Sequence, residues 1–305
     1  MHRQLSVAGA LTFKLLKEHS SPVVTMYDLG VATLQIYTAK EYAGQKIKKL
    51  TADLPSRSNI HRYKNALMES GILEERRDLP RDTCLLVSSP HQEAVDLACG
   101  IDPFCYVSHL SAMAYHGLTD RFAKTLFLTT PTAALWRERA AEKQRKDLGE
   151  DLDRYVRAGF PLLARHALSS LNREPVHTYA TKHVDPGAYV KVSDRPVRVA
   201  SIGRTFLDML RKPDLCGGMS HVINVFESNA PSYLRLILNE IDRHGEPIDK
   251  VRAGYILDER CGIHYDRIDQ WVSFAQRGGS RVLDPGAPFW PQFSEKWCLS
   301  INLSV

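Results

Sequence analysis

Along the N-terminal third, apolar positions recur at intervals of three and four. Leu11, Leu15 and Leu16 mark a helix over Leu5 to Glu18. A second helix runs to about Ala39 behind Thr25, with Asp28 placed to complete a capping box. The stretch Glu41–Leu50 reads as a short basic helix carrying Lys46, Lys48 and Lys49. Pro55-Ser56 breaks the chain. A fourth helix, from about Arg57 to Glu69, then places Ile60, Tyr63 and Leu67 on one face and stops at Gly71. The period changes after it: Ile72-Leu73-Glu74, a charged turn from Arg76 to Arg81 and the β-rich run 84–88 predict a hairpin.

Downstream, Ser89-Pro90-His91-Gln92 has the form of a helix cap, with proline at the first helical position. Ser108 and Gly117 bracket a compact helix as N-cap and C-cap. A strand over 125–130 and a charged stretch over 137–153 follow. Three β-like pieces then lie near Val176–Ala180, Ala188–Val192 and Val197–Ala200, between Pro and Gly turns. From Ser201 the pattern is helical. Ile202, Phe206 and Leu210 share a face, as do Leu234, Ile237, Leu238 and Ile241, and then Ile268, Trp271, Val272 and Ala275. The last apolar run, Trp297–Leu303, predicts a strand. These elements imply an α+β protein in which an N-terminal winged helix-turn-helix (1–90) precedes a mixed α/β domain with a helical end (91–305).

Composition narrows the function more than the fold. Hydrophobic content of 44% and charged content of 25% belong to a soluble globular chain. No stretch approaches about 18 consecutive apolar residues, and the N-terminus lacks an apolar signal core, so a cytoplasmic protein without membrane contact is expected. The cysteines at 84, 99, 105, 216, 261 and 298 include no Cys-x-x-Cys pair, and reduced buried thiols are the expectation. The net charge of +5 is unevenly spread. Residues 1–90 hold thirteen Lys and Arg against nine Asp and Glu, and the excess is densest between Lys40 and Lys64. A localised basic patch points to nucleic acid.

On the helix at 57–69, the outward set is Ser58, Asn59, His61, Arg62 and Asn65, with Arg57 at its start and Lys64 at the flank. Arg can pair bidentately with guanine and Asn with adenine, while Ser and Lys suit phosphates. Lys46, Lys48 and Lys49 on one side, and Arg76, Arg77 and Arg81 on the hairpin turn, are placed to neutralise the DNA backbone. Glu74, Glu75, Asp78 and Asp82 dilute the charge of that turn. The words from Asn65 to Leu73 also resemble the recognition-helix-to-wing junction of winged regulators.

Other constellations argue against chemistry. His109 and His116 are spaced seven apart and have no carboxylate or cysteine nearby to complete a metal set, so both are expected to be structural. Asp151-Leu152-Asp153 has the carboxylate spacing of two-metal nucleotidyl transfer, but Gly279-Ser280, the Gly-Ser turn such chemistry wants upstream, lies far downstream. No phosphate-binding Gly-Lys-Ser/Thr loop, Gly-x-Ser-x-Gly elbow or nuclease pattern occurs. No catalytic residue, metal or cofactor is expected.

The run Ser108-His109-Leu110-Ser111-Ala112-Met113-Ala114-Tyr115-His116-Gly117-Leu118 resembles the signature of AbiEi-type antitoxins. A second block, Val199 to Gly218, is similar to another of that family, with its Arg204-Thr205 and Leu207-Asp208 pairs, Pro213 and Gly217-Gly218. On a helix, Arg204 and Asp208 form an i,i+4 pair. Gly254–Glu259 and Leu283-Asp284-Pro285 resemble the family's closing helix and turn. The resemblance implies a transcriptional autorepressor that binds inverted repeats of double-stranded DNA in its own promoter. It also implies an antitoxin in an abortive-infection, phage-defence system, counteracting a nucleotidyltransferase-like toxin without needing a stable complex. The alternative is a standalone regulator whose C-terminal domain senses a ligand or dimerises; a DNA-processing enzyme with a degenerate site ranks behind both.

Overall fold

The computed structural model describes residues 5–185, 187–276 and 281–303; the Gly279-Ser280 pair weighed above lies outside them. The fold is mixed α+β. Two compact units divide the chain. The first takes in the described residues of Met1–Cys105, Thr130–Val176 and Lys191–Val197, and the second those of Tyr106–Thr129, His177–Val190 and Arg198–Val305. The 1–90 segment thus belongs to the first unit, which extends beyond it.

In the first unit, α1 (Val7–Glu18) starts at Ser6, whose Oγ accepts from the Gly9 amide at 3.1 Å. Strand β1 (Val23–Thr25) leads directly into α2 (Met26–Ala39). Their junction is the capping box expected at Thr25: the Asp28 amide donates to Thr25 Oγ1 at 3.1 Å and the Thr25 amide to Asp28 Oδ2 at 2.9 Å. After the short strands β2 (Glu41–Tyr42) and β3 (Gln45–Lys46) comes α3 (Arg57–Glu69), followed by β4 (Leu73–Glu74) and β5 (Thr83–Leu86). The sheet is antiparallel in the order β1-β5-β4, with Val23 opposite Leu85 and Leu73 opposite Leu86. Leu11, Leu29, Leu34, Ile60, Leu67 and Leu86 close one core between the three helices and this sheet.

Two local expectations fail here. The stretch 41–50 is not a helix. Glu41 pairs with Lys46 and Tyr42 with Gln45 across a two-residue turn in which Ala43 and Gly44 both have positive φ (49° and 76°). Such a primed turn matches strand twist and cannot continue a helix. Lys40, itself left-handed at φ 55°, ends α2, and Ile47 is buried and bridged to Leu5. The second failure is the cap at Ser89. The cap lies four residues later at Glu93, which forms the reciprocal box with Asp96, and the helix begins at Ala94. Gln92 instead folds its amide back onto the carbonyls of Ser89 and Val87.

In the second unit, the strand Tyr106–Val107 lies between Arg198–Ala200, parallel to it, and Leu126–Pro131, antiparallel. The helix Ile202–Arg211, capped by Ser201, packs along the long helix Met219–His244, with Phe206 edge-on to Phe226 at 4.8 Å between centroids. Gly203 allows that approach: a Cβ there would stand 2.6 Å from the Leu236 carbonyl oxygen. The expected Arg204–Asp208 pair does not form. Arg204, 1% exposed, donates to Glu240 (2.6 Å), Asp185 (2.9 Å) and the His183 carbonyl (3.1 Å). Asp208 Oδ2 is buried and has no hydrogen-bond partner among the described residues.

The Ser108–Thr119 element is a helix over His109–Tyr115, and Gly117 is left-handed behind it (φ 65°). Ser108 does not cap through its side chain. Its hydroxyl meets His109 Nδ1 at 2.8 Å and accepts from Thr129 Oγ1 at 2.8 Å. Burial, aided by His177 and Lys212, pushes the His109 pKa down to about 3, so the ring stays neutral. His116 Nε2 donates to the Ala200 carbonyl at 2.6 Å. Both histidines serve the packing of this helix. Among the described residues no helix is long and apolar enough to cross a membrane, and no group of three His, Cys, Asp or Glu could hold a metal ion.

Candidate nucleic-acid interface

Helix α3 is positioned from its core side. Ile60, Tyr63 and Leu67 are buried, which turns Arg57, Ser58, His61, Arg62 and Asn65 to the exposed side. The Ser56 hydroxyl accepts from the Asn59 amide at 3.2 Å and begins the helix. At the other end the Ile72 amide returns to the Leu67 carbonyl at 2.9 Å, past Gly71 at φ 71°. This left-handed residue lets the chain leave directly as β4.

Two side chains of the expected outward set behave differently. Asn59 is half-buried: its Nδ2 donates to Tyr37 Oη at 3.1 Å and its Oδ1 accepts from the Ser56 hydroxyl. With both ends of its amide engaged, Asn59 is not presented for a bidentate contact with adenine. Lys64 is also half-buried and holds an ion pair with Glu75. Arg62, by contrast, is supported yet open. Its guanidinium lies 5.3 Å from the Tyr63 ring centroid, and Nη2 reaches the Tyr63 hydroxyl at 3.5 Å. Tyr63 meets Tyr37 at 2.7 Å between hydroxyls. Burial and the Tyr63 hydroxyl push the Tyr37 pKa up to about 12, so its hydroxyl stays protonated. A stacked guanidinium loses less rotamer entropy on binding than a free one. Tyr37 was not legible as part of this site. Its contribution depends on how α2 crosses α3, which local periodicity does not encode.

On either side of this helix in the chain, Lys46, Lys48 and Lys49 are exposed at the end of the β2–β3 hairpin, and Arg77 and Arg81 are exposed on the β4–β5 loop. None of these five has a carboxylate partner among the described residues. Lys48 is anchored through its backbone, its amide donating to the Leu5 carbonyl at 2.8 Å. Arg76 stands apart from its neighbours. It is half-buried, and its guanidinium grips Asp78 through Nε (3.0 Å to Oδ1) and Nη2 (2.5 Å to Oδ2). It therefore shapes the loop, while Arg77 and Arg81 carry its free charge.

No family model matches the chain, and no curated protein matches it. Among solved structures, the crystal structure of the RV2827C protein from Mycobacterium tuberculosis is similar over 97% of this chain and 92% of that one, with 11% sequence identity and a TM-score of 0.48.

Proposed function

We propose that residues 5–90 form a winged helix-turn-helix that reads double-stranded DNA through α3, and that the chain is a transcriptional autorepressor. The observation that carries the reading is the exposed face of α3. Arg62, held against Tyr63, and Asn65 are exposed on it, and along the chain α3 lies between two sets of exposed cations, the lysines of the β2–β3 hairpin and the arginines of the β4–β5 loop. An α-helix of this kind fits the major groove, and flanking cations fit the phosphates on either side. The element order, with strand β1 before the second helix and the β4–β5 hairpin directly after the third, supports the winged form. The antitoxin role, directed at a nucleotidyltransferase-like toxin, rests on the resemblance of Ser108–Leu118 and Val199–Gly218 to AbiEi-type proteins. Such a protein acts in the cytoplasm.

Competition binding to the chain's own promoter and to a scrambled duplex, over a range of salt, tests the DNA reading. Arg62→Ala is expected to cost about 1–3 kcal/mol of discrimination between the two. Lys48→Ala should weaken both duplexes alike and reduce the salt slope by about one. A wild-type chain that does not prefer its promoter, or an Arg62→Ala variant with undiminished preference, overturns the assignment. Co-expression with the product of the adjacent gene tests the antitoxin part, with relief of growth arrest as the expected result.

A further inference from the structure

We propose that the turn Asn172-Arg173 is a second wing: Asn172 clamps the β4–β5 loop in place, and Arg173 adds a DNA phosphate contact beside it. The inference rests on the DNA-binding reading above and extends its surface to a part of the chain remote in sequence. Ser170–Leu171 pairs antiparallel with the start of Glu174–Thr181, Leu171 opposite Glu174. Asn172 and Arg173 are the two residues of the turn, with φ of 50° and 66°. Positive φ at both central residues makes this a primed turn, and both residues are exposed.

What the turn touches is the candidate wing. The Asn172 amide donates to Asp78 Oδ2 at 2.9 Å, and its side-chain oxygen accepts from Arg76 Nη2. Its Nδ2 donates to the Gln92 carbonyl at 2.7 Å. Burial works against ionisation of Asp78, but Arg76 and the Asn172 amide hold its carboxyl below the usual range. The β4–β5 loop is thereby fixed at Arg76 and Asp78, and Arg77 projects between those two fixed points. Arg173, next to the clamp on the other side, is exposed and has no carboxylate partner among the described residues. Two nearby carboxylates are already engaged, Asp78 by Arg76 and Glu93 by Arg195 at 2.6 Å, while Glu174, next to Arg173 in the chain, is half-buried. Arg77 and Arg173 thus form a cationic edge on which Asp78 and Glu93 are already paired with other arginines. Such an edge suits a polyanion, and duplex DNA lying on α3 supplies one.

The test is the salt dependence of duplex binding by the full chain. With Arg173→Ala, affinity for promoter and scrambled duplexes should fall by the same factor. The salt slope should drop by about one, so the deficit relative to wild type changes about threefold between about 50 and about 200 mM salt. Asn172→Gly keeps the left-handed turn but removes the side-chain contacts of the clamp. It should lower the slope by itself by releasing Arg77, and the double variant with Arg77→Ala should match Arg77→Ala instead of adding to it. All variants should melt with the wild type, because the turn is exposed and outside the core. A wild-type chain that binds neither duplex overturns both readings. Wild-type binding with an unchanged slope for Arg173→Ala overturns the second wing alone, and additive losses in the double variant overturn the clamp.

Discussion

Arg204→Ala is expected to lower the stability of the second unit by about 3–5 kcal/mol, a loss on the scale of breaking a buried ion pair from one side. The guanidinium is 1% exposed, and three of its nitrogens are committed: Nε to Glu240, Nη2 to Asp185 and Nη1 to the His183 carbonyl. Truncation leaves Glu240, whose side chain is only 12% exposed, facing a void with no counter-charge. It also unties the loop at His183 and Asp185 from the helix Ile202–Arg211. Chemical denaturation followed by tryptophan fluorescence reads this directly, since Trp271 and Trp297 are buried in the same unit. Glu240→Gln, which keeps a hydrogen-bond acceptor beside Arg204, should cost less than the arginine truncation. A loss below about 1 kcal/mol for Arg204→Ala would mean that water screens the cluster as it does a surface pair.

That cluster also shows where reading from sequence alone stops. Local signals carried far in the first unit. The face of Ile60, Tyr63 and Leu67, the Thr25–Asp28 box and the stop at Gly71 all stand where spacing placed them, because each depends on residues within one or two turns. The strands near 176–180, 188–192 and 197–200 and the helix faces at 202–210 and 234–241 were legible for the same reason. The stretch 41–50 misled because its lysines favour helices, while its conformation is set by a primed turn at Ala43-Gly44 and by the burial of Ile47 against Leu5. Asn59 satisfied the helical period for an outward residue, yet its amide is drawn in by Tyr37 from another helix. Arg204 and Asp208 had the spacing of a pair, but Glu240 and Asp185 out-compete Asp208 for the guanidinium. Asn172 touches Asp78 and Gln92 across a separation no local pattern spans. In each case the decisive partner is distant in the chain.

Asp208→Asn is expected to stabilise the protein, and to do so in a pH-dependent way. The aspartate is 8% exposed, and its Oδ2 has no hydrogen-bond partner among the described residues, since the arginine one turn before it is engaged elsewhere. Burial pushes its pKa up to about 7, against the pull of Arg204 and Arg211 and with the help of Glu240 and Asp249. In the unfolded chain the same group titrates at about 4. The folded state therefore holds a proton that the unfolded chain releases more readily. The stability tied to that proton is full below about pH 4 and is lost as pH rises to about 7. Above that, wild type carries a buried charge that the amide variant lacks, and the difference should reach roughly 2–4 kcal/mol. Denaturation midpoints of the two proteins should accordingly lie close together near pH 4 and separate progressively up to about pH 8, the variant being the more stable. A variant that is less stable at every pH would show that the carboxylate is held by interactions an amide cannot replace. A constant gap across the range would show that Asp208 titrates alike in the folded and unfolded chains.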